Sequence, residues 1–145
     1  MGTSMVQFRE RGFWASDAVL QVWFDLLADA LELAEPRQFV KALIKILRRR
    51  ARSAGVGCLA LPLHSLISLP AEVDLVANAG RAAIADLKAR GDWILQSELN
   101  ERIGRHSGRR YEDLTVASVE AVGLAFIDVL EGTFPGRVDA APVIR

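Results

Sequence analysis

Between Ser16 and Pro36 the chain carries a pattern that suits a helix and little else. Val19, Leu20, Val22, Trp23, Leu26, Leu27, Ala30 and Leu31 recur at helical steps, while Asp17, Gln21, Asp25, Asp29 and Glu32 follow at four, four, four and three. Residues so spaced share a helix face, so a wide apolar face lies beside an acidic stripe. Ser16 is a good N-cap, and Asp17 suits the positive end of the helix dipole. Pro36 cannot continue the helix, whose end is expected near Ala34.

Pro36 can open a second helix at its first position. There Phe39, Val40, Leu43, Ile44 and Leu47 form the apolar face, and Arg37, Lys41, Lys45, Arg48, Arg49 and Arg52 form a basic stripe. Gly55 and Gly57 end it, and the short connection implies an antiparallel hairpin with the first helix. Gly55 to Leu69 reads as a buried or semi-buried connector, with Val56 to Leu61 the nearest approach to a strand. Ala71 to Arg90 is a third helix, stopped by Gly91. Asp92 can cap a fourth, holding Trp93, Ile94, Leu95, Leu99 and Ile103, with Gly104 as its stop. Asp113 or Thr115 caps the last, which runs from Val116 to Leu130 and stops at Gly132. Trp14, Trp23 and Trp93 read as core. The expectation is an all-α, compact single-domain bundle of about five helices over 13–132, with a poorly ordered leader at 1–12 and a loose tail at 133–145.

Composition narrows the function class. The chain has 145 residues, 51% hydrophobic and 25% charged, which is globular and not disordered. The single Cys58 excludes an intrachain disulfide and fits a reducing cytoplasm. No apolar run has the length of a membrane span, so no membrane partner is expected. Lysines and arginines number 18 and so do aspartates and glutamates, and zero net charge weighs against a general nucleic-acid binder. The charges are unevenly placed: residues 1–36 carry 2 basic and 6 acidic side chains, and residues 37–60 carry 7 basic and none acidic.

Catalytic patterns are weak. Cys58 and His64 share the connector, but no Asn or Asp nearby would orient the imidazole, and a cysteine among apolar neighbours is usually a small core residue. His64, His106 and Cys58 have no metal-ligand spacing, and Gly55-Val56-Gly57 lacks the rest of a phosphate loop. No enzyme activity, metal or cofactor is expected.

Two charged faces remain. An acidic ridge of Asp25, Asp29, Glu32, Glu98 and Glu101 can imitate a phosphate backbone and fill the basic cleft of a nuclease. The basic surface of Arg37, Lys41, Lys45, Arg48, Arg49 and Arg52 can bind RNA, DNA or an acidic protein, although no aromatic is interleaved to stack bases. Either face can also be simply solvated, and part of the basic stripe can face the acidic one.

The string Gly12-Phe13-Trp14-Ala15-Ser16-Asp17-Ala18-Val19-Leu20-Gln21-Val22-Trp23 resembles the opening of a group of small bacterial proteins. Gly57-Cys58 is similar to that group's mid-chain Gly-Cys pair. Ala125-Phe126-Ile127-Asp128-Val129-Leu130-Glu131-Gly132 resembles its closing helix. The chain departs from the group at Gln21, where an acidic residue is common, and in the run Arg48-Arg49-Arg50-Ala51-Arg52. The group resembles the immunity proteins of polymorphic toxins, notably those of contact-dependent growth inhibition. That resemblance implies a cytoplasmic, non-enzymatic protein that binds a cognate toxin domain, often a nuclease, and blocks its active site or substrate cleft. The basic helix 37–52 keeps an RNA- or DNA-associated function as the alternative.

Overall fold

The computed structural model describes residues 2–53, 59–61, 63–104 and 111–145. Cys58, His106, the Gly55–Gly57 glycines and Pro62 lie outside the described residues. Among the described residues helix accounts for 62% and strand for 14%, so the fold is mainly α and not all-α.

The chain opens with a hairpin where a leader was expected. Strand β1 (Thr3–Phe8) pairs antiparallel with β2 (Arg11–Ser16), from Thr3 against Ser16 to Phe8 against Arg11. Ser4, Val6 and Phe8 face inward at a period of two, which is the strand signature. Arg9 takes a left-handed backbone, φ 57°, in the two-residue turn. Gly12 is required by close approach, since a Cβ there would lie 2.8 Å from the Val6 carbonyl oxygen. The tail is also part of the fold: β5 (Val143–Ile144) lies parallel to β2. Buried Phe134 packs its ring 5.7 Å from that of Phe13.

The expected long helices are present. Helix α1 (Asp17–Glu32) is capped by Ser16, whose hydroxyl accepts from the Val19 amide. Helix α2 (Gln38–Ala51) begins two residues after Pro36, with Arg37 at its N-cap. A short α3 (Leu63–Leu66) precedes α4 (Pro70–Ala89). Glu72 closes the first turn of α4 by accepting from the Ser68 and Leu69 amides, which holds its carboxyl below the ordinary range.

The segment expected as a helix from Asp92 begins instead as β3 (Trp93–Ile94), paired with β4 (Leu114–Thr115). Helix α5 (Gln96–Leu99) follows, and Asp113 caps it by accepting from the Gln96 amide at 2.7 Å. A π-helical turn, Asn100–Gly104, continues from it. Pairing to β4 turns Trp93 outward, and it is 56% exposed, as is Leu95; Trp14 is also partly exposed, so of the three tryptophans Trp23 is the one fully in the core. Helix α6 (Val116–Glu131) is capped by Thr115 and ends at Gly132 in a left-handed conformation.

Helix α1 packs against α2, α4 and α6, which places it at the centre of the molecule. Trp23 is its anchor, edge-on to Phe126 and lying over Gly123 and Gly80. A Cβ on Gly123 would come within 2.7 Å of the indole ring, so helix α6 approaches α1 at that point because this residue has no side chain. Gly123→Val is expected to cost at least about 2 kcal/mol in urea denaturation, against less than about 1 kcal/mol for Ala85→Val on the exposed face of α4. Equal losses would show that the indole moves aside.

Candidate functional site

The amino-terminal part of the α1 stripe turns inward, while Asp29 is half-buried and Glu32 exposed. Asp17 and Gln21 are fully buried and Asp25 nearly so. Burying polar groups is costly unless each is partnered, and Asp17, Gln21 and Asp25 meet that requirement, whereas the buried Trp23 indole nitrogen has no hydrogen-bond partner among the described residues. Asp17 accepts from the Ser4 hydroxyl at 2.6 Å, and that hydroxyl also accepts from the Leu59 amide. Gln21 donates to the Ser53 carbonyl at 2.7 Å and accepts from the Tyr111 hydroxyl at 2.6 Å. A carboxylate could not donate to that carbonyl, which accounts for an amide at this position. Tyr111 is held in turn by Asn100, whose side-chain oxygen accepts from its amide.

One turn on, the stripe becomes ionic. Arg48 of α2 reaches over α1, donating from Nη1 to Asp25 at 2.7 Å and from Nη2 to Asp29 at 2.6 Å and Glu32 at 3.0 Å. It also donates to the Asp25 carbonyl at 3.1 Å. Arg102 of the π-helical turn approaches from the other side. It lies 2.8 Å from Asp25, pairs with Asp29, and sits 3.8 Å from Glu98 four residues before it. Glu98 also pairs with Arg90 at the end of α4.

The charges are mutually stabilised. Burial alone would raise the Asp29 carboxyl, but hydrogen bonds from Arg48 and Arg102 outweigh it and hold the group below its ordinary range. Burial likewise disfavours the two guanidinium charges. For Arg48 the hydrogen bonds to Asp29 and Glu32 reverse that effect, and for Arg102 the charge of Asp25 and the hydrogen bond to Asp29 do so. The space beside the cluster, lined by Val22, Asp25, Glu98, Arg102 and Ile103, is about 10 Å³, room for roughly one water and not for a ligand.

Four acids expected on a partner-facing ridge, Asp25, Asp29, Glu32 and Glu98, are thus gathered around two arginines within the chain, while Glu101 is exposed. The basic stripe divides. Arg48 turns onto α1, and Arg37 pairs with the exposed Glu35. Lys41, Lys45, Arg49 and Arg52 are exposed and have no ion-pair partner among the described residues. Sequence reasoning passed over Arg102 and Tyr111; the spacing of Arg102, four residues after Glu98, was the available signal for the first. His64 is exposed on α3.

Elsewhere the described surface holds open grooves. One, of about 390 Å³, runs beneath Trp93 between Lys88, Thr115 and Glu120. No helix among the described residues is long and apolar enough to cross a membrane. No family model, no curated protein and no solved structure matches the chain.

Asp29 gives the network an acid limb. Its folded-state carboxyl titrates below the unfolded one, so its contribution is present above the unfolded value and is lost as pH falls through the folded one. Asp29→Asn is expected to cost roughly 0.5–1 kcal/mol at pH 7, with the difference from the unsubstituted protein shrinking below about pH 4. Urea denaturation at several pH values checks this; a difference independent of pH would contradict it.

Proposed function

We propose that this chain is a non-enzymatic binding protein that neutralises a cognate toxin domain in the cytoplasm, by covering its active site or substrate cleft. The observation that carries the reading is where the polar chemistry lies. Among the described residues, Ser4, Asp17, Gln21 and Tyr111, polar groups that burial could make reactive, are hydrogen-bonded within the core. The acids and arginines of the central cluster fasten helices to one another, and the spaces beside them, about 10 Å³ next to Asp25 and about 70 Å³ next to Asp29, are small for a substrate. Such an internally paired scaffold suits recognition, where a few preorganised side chains dominate affinity. The resemblance of the Gly12–Trp23 and Ala125–Gly132 strings to toxin-immunity proteins supplies the kind of partner.

The bound acids shift the expected interface. Asp25, Asp29, Glu32 and Glu98 would have to exchange Arg48 and Arg102 for a partner's cations, and such an exchange gains little. The exposed charges of α2 need no such exchange. The same charges support the second reading, an RNA- or DNA-associated protein, which zero net charge disfavours.

Co-expression tests the proposal. The C-terminal domain of a large secreted protein encoded beside this chain is expected to arrest growth when produced alone. Growth should be restored when this chain is present, and the two should co-purify. A toxic neighbour domain whose activity is untouched, with no complex formed, would sink the reading.

A further inference from the structure

We infer that the exposed basic stripe of α2, formed by Lys41, Lys45, Arg49 and Arg52, is a docking face for an acidic helix of the partner protein, one that presents carboxylates at steps of three and four residues; this rests on the protein-binding reading above. The four cations are exposed and follow at four, four and three, so they form one stripe extending about 16 Å along the helix. Long flexible side chains of one sign on one helix face call for a complementary charge pattern in register.

The molecule contains a template for such a contact. Arg48, at the margin of the same stripe, already engages three carboxylates of a neighbouring helix, Asp25, Asp29 and Glu32, spaced at four and three. Helix α2 therefore holds a carboxylate stripe through Arg48 and offers a longer cationic stripe beside it. The carboxylates of the neighbouring helix α1, Asp25, Asp29 and Glu32, are held by Arg48 and Arg102 instead.

An acidic protein fits better than a nucleic acid. Residues 41–52 contain no aromatic side chain on which a base could stack, and the chain as a whole has no cationic excess. A helix with its own carboxylate spacing also explains why the cations lie in a single row.

Fluorescence anisotropy with a labelled peptide of about 18 residues, five helical turns, tests the inference on the full chain. The peptide carries glutamates at four, four and three on one face. A peptide of the same composition with its glutamates dispersed, and a DNA duplex of about 20 base pairs, are the comparisons. The patterned peptide is expected to bind about fivefold or more tightly than the dispersed one, and the K41E/K45E/R49E/R52E protein to lose about tenfold or more in affinity. Should the fourfold reversal unfold the protein, K41Q/K45Q is expected to lose about threefold with an unchanged melting temperature. Absence of binding, equal binding of the two peptides, affinity untouched by these substitutions, or tighter binding of the duplex would each overturn the inference, the last assigning the stripe to nucleic acid. The two proposals fail separately. Patterned binding without protection in co-expression removes the toxin partner and keeps the docking face; protection without patterned binding does the reverse.

Discussion

Arg48 decides how the charges of this chain are distributed. A long cationic side chain at the edge of α2 meets three carboxylates on α1 and the backbone oxygen of one of them, and Arg102 closes the same carboxylates from the opposite side. A nearly buried Asp25 is tolerable because two guanidinium groups hold it. Remove that arrangement and Asp25 is left nearly buried without a counter-charge, and the π-helical turn loses its ionic tie to the central helix.

Much of the remaining architecture can be followed outward from this point. With its ionic end clamped, α1 brings Gln21 to Tyr111 and Ser53, and Asp17 to Ser4 of the hairpin. The polar stripe thus connects the amino-terminal strands, α2 and the segment after α5, while Trp23 and its glycine-floored contact hold the apolar side. Functionally, the clamp gives the surface its sign. Acids that looked available are paired with arginines of the same chain, and the uncompensated charge at the surface of α2 is basic.

The long helices were legible because their signals are local. Ser16, Thr115 and Gly132 cap and stop helices as their residue types imply, and the apolar periods of α1, α2, α4 and α6 follow the faces that are buried. The hairpin was not legible: Arg9-Glu10 is not a favoured turn pair, and the inward row of β1 begins with a serine. Trp93 and Leu95 suggested a helical core because their apolar character says nothing of the β4 strand that turns Trp93 outward. The sequence displayed both charged stripes and admitted their mutual pairing, but spacing alone cannot say which cations cross to the acids. That choice depends on the distance between two helices and on Arg102, which is 73 residues from Asp29 in the chain.

The central claim is that Arg48 and Asp25 are energetically coupled inside the fold. The direct measurement is a double-mutant cycle of Asp25→Asn and Arg48→Met by urea denaturation at neutral pH and low salt. A coupling of about 1 kcal/mol or more is predicted, since the two groups share a largely desolvated contact. Additive effects, with a coupling near zero, would contradict the account and return the carboxylates of α1 to the surface as candidates for a partner.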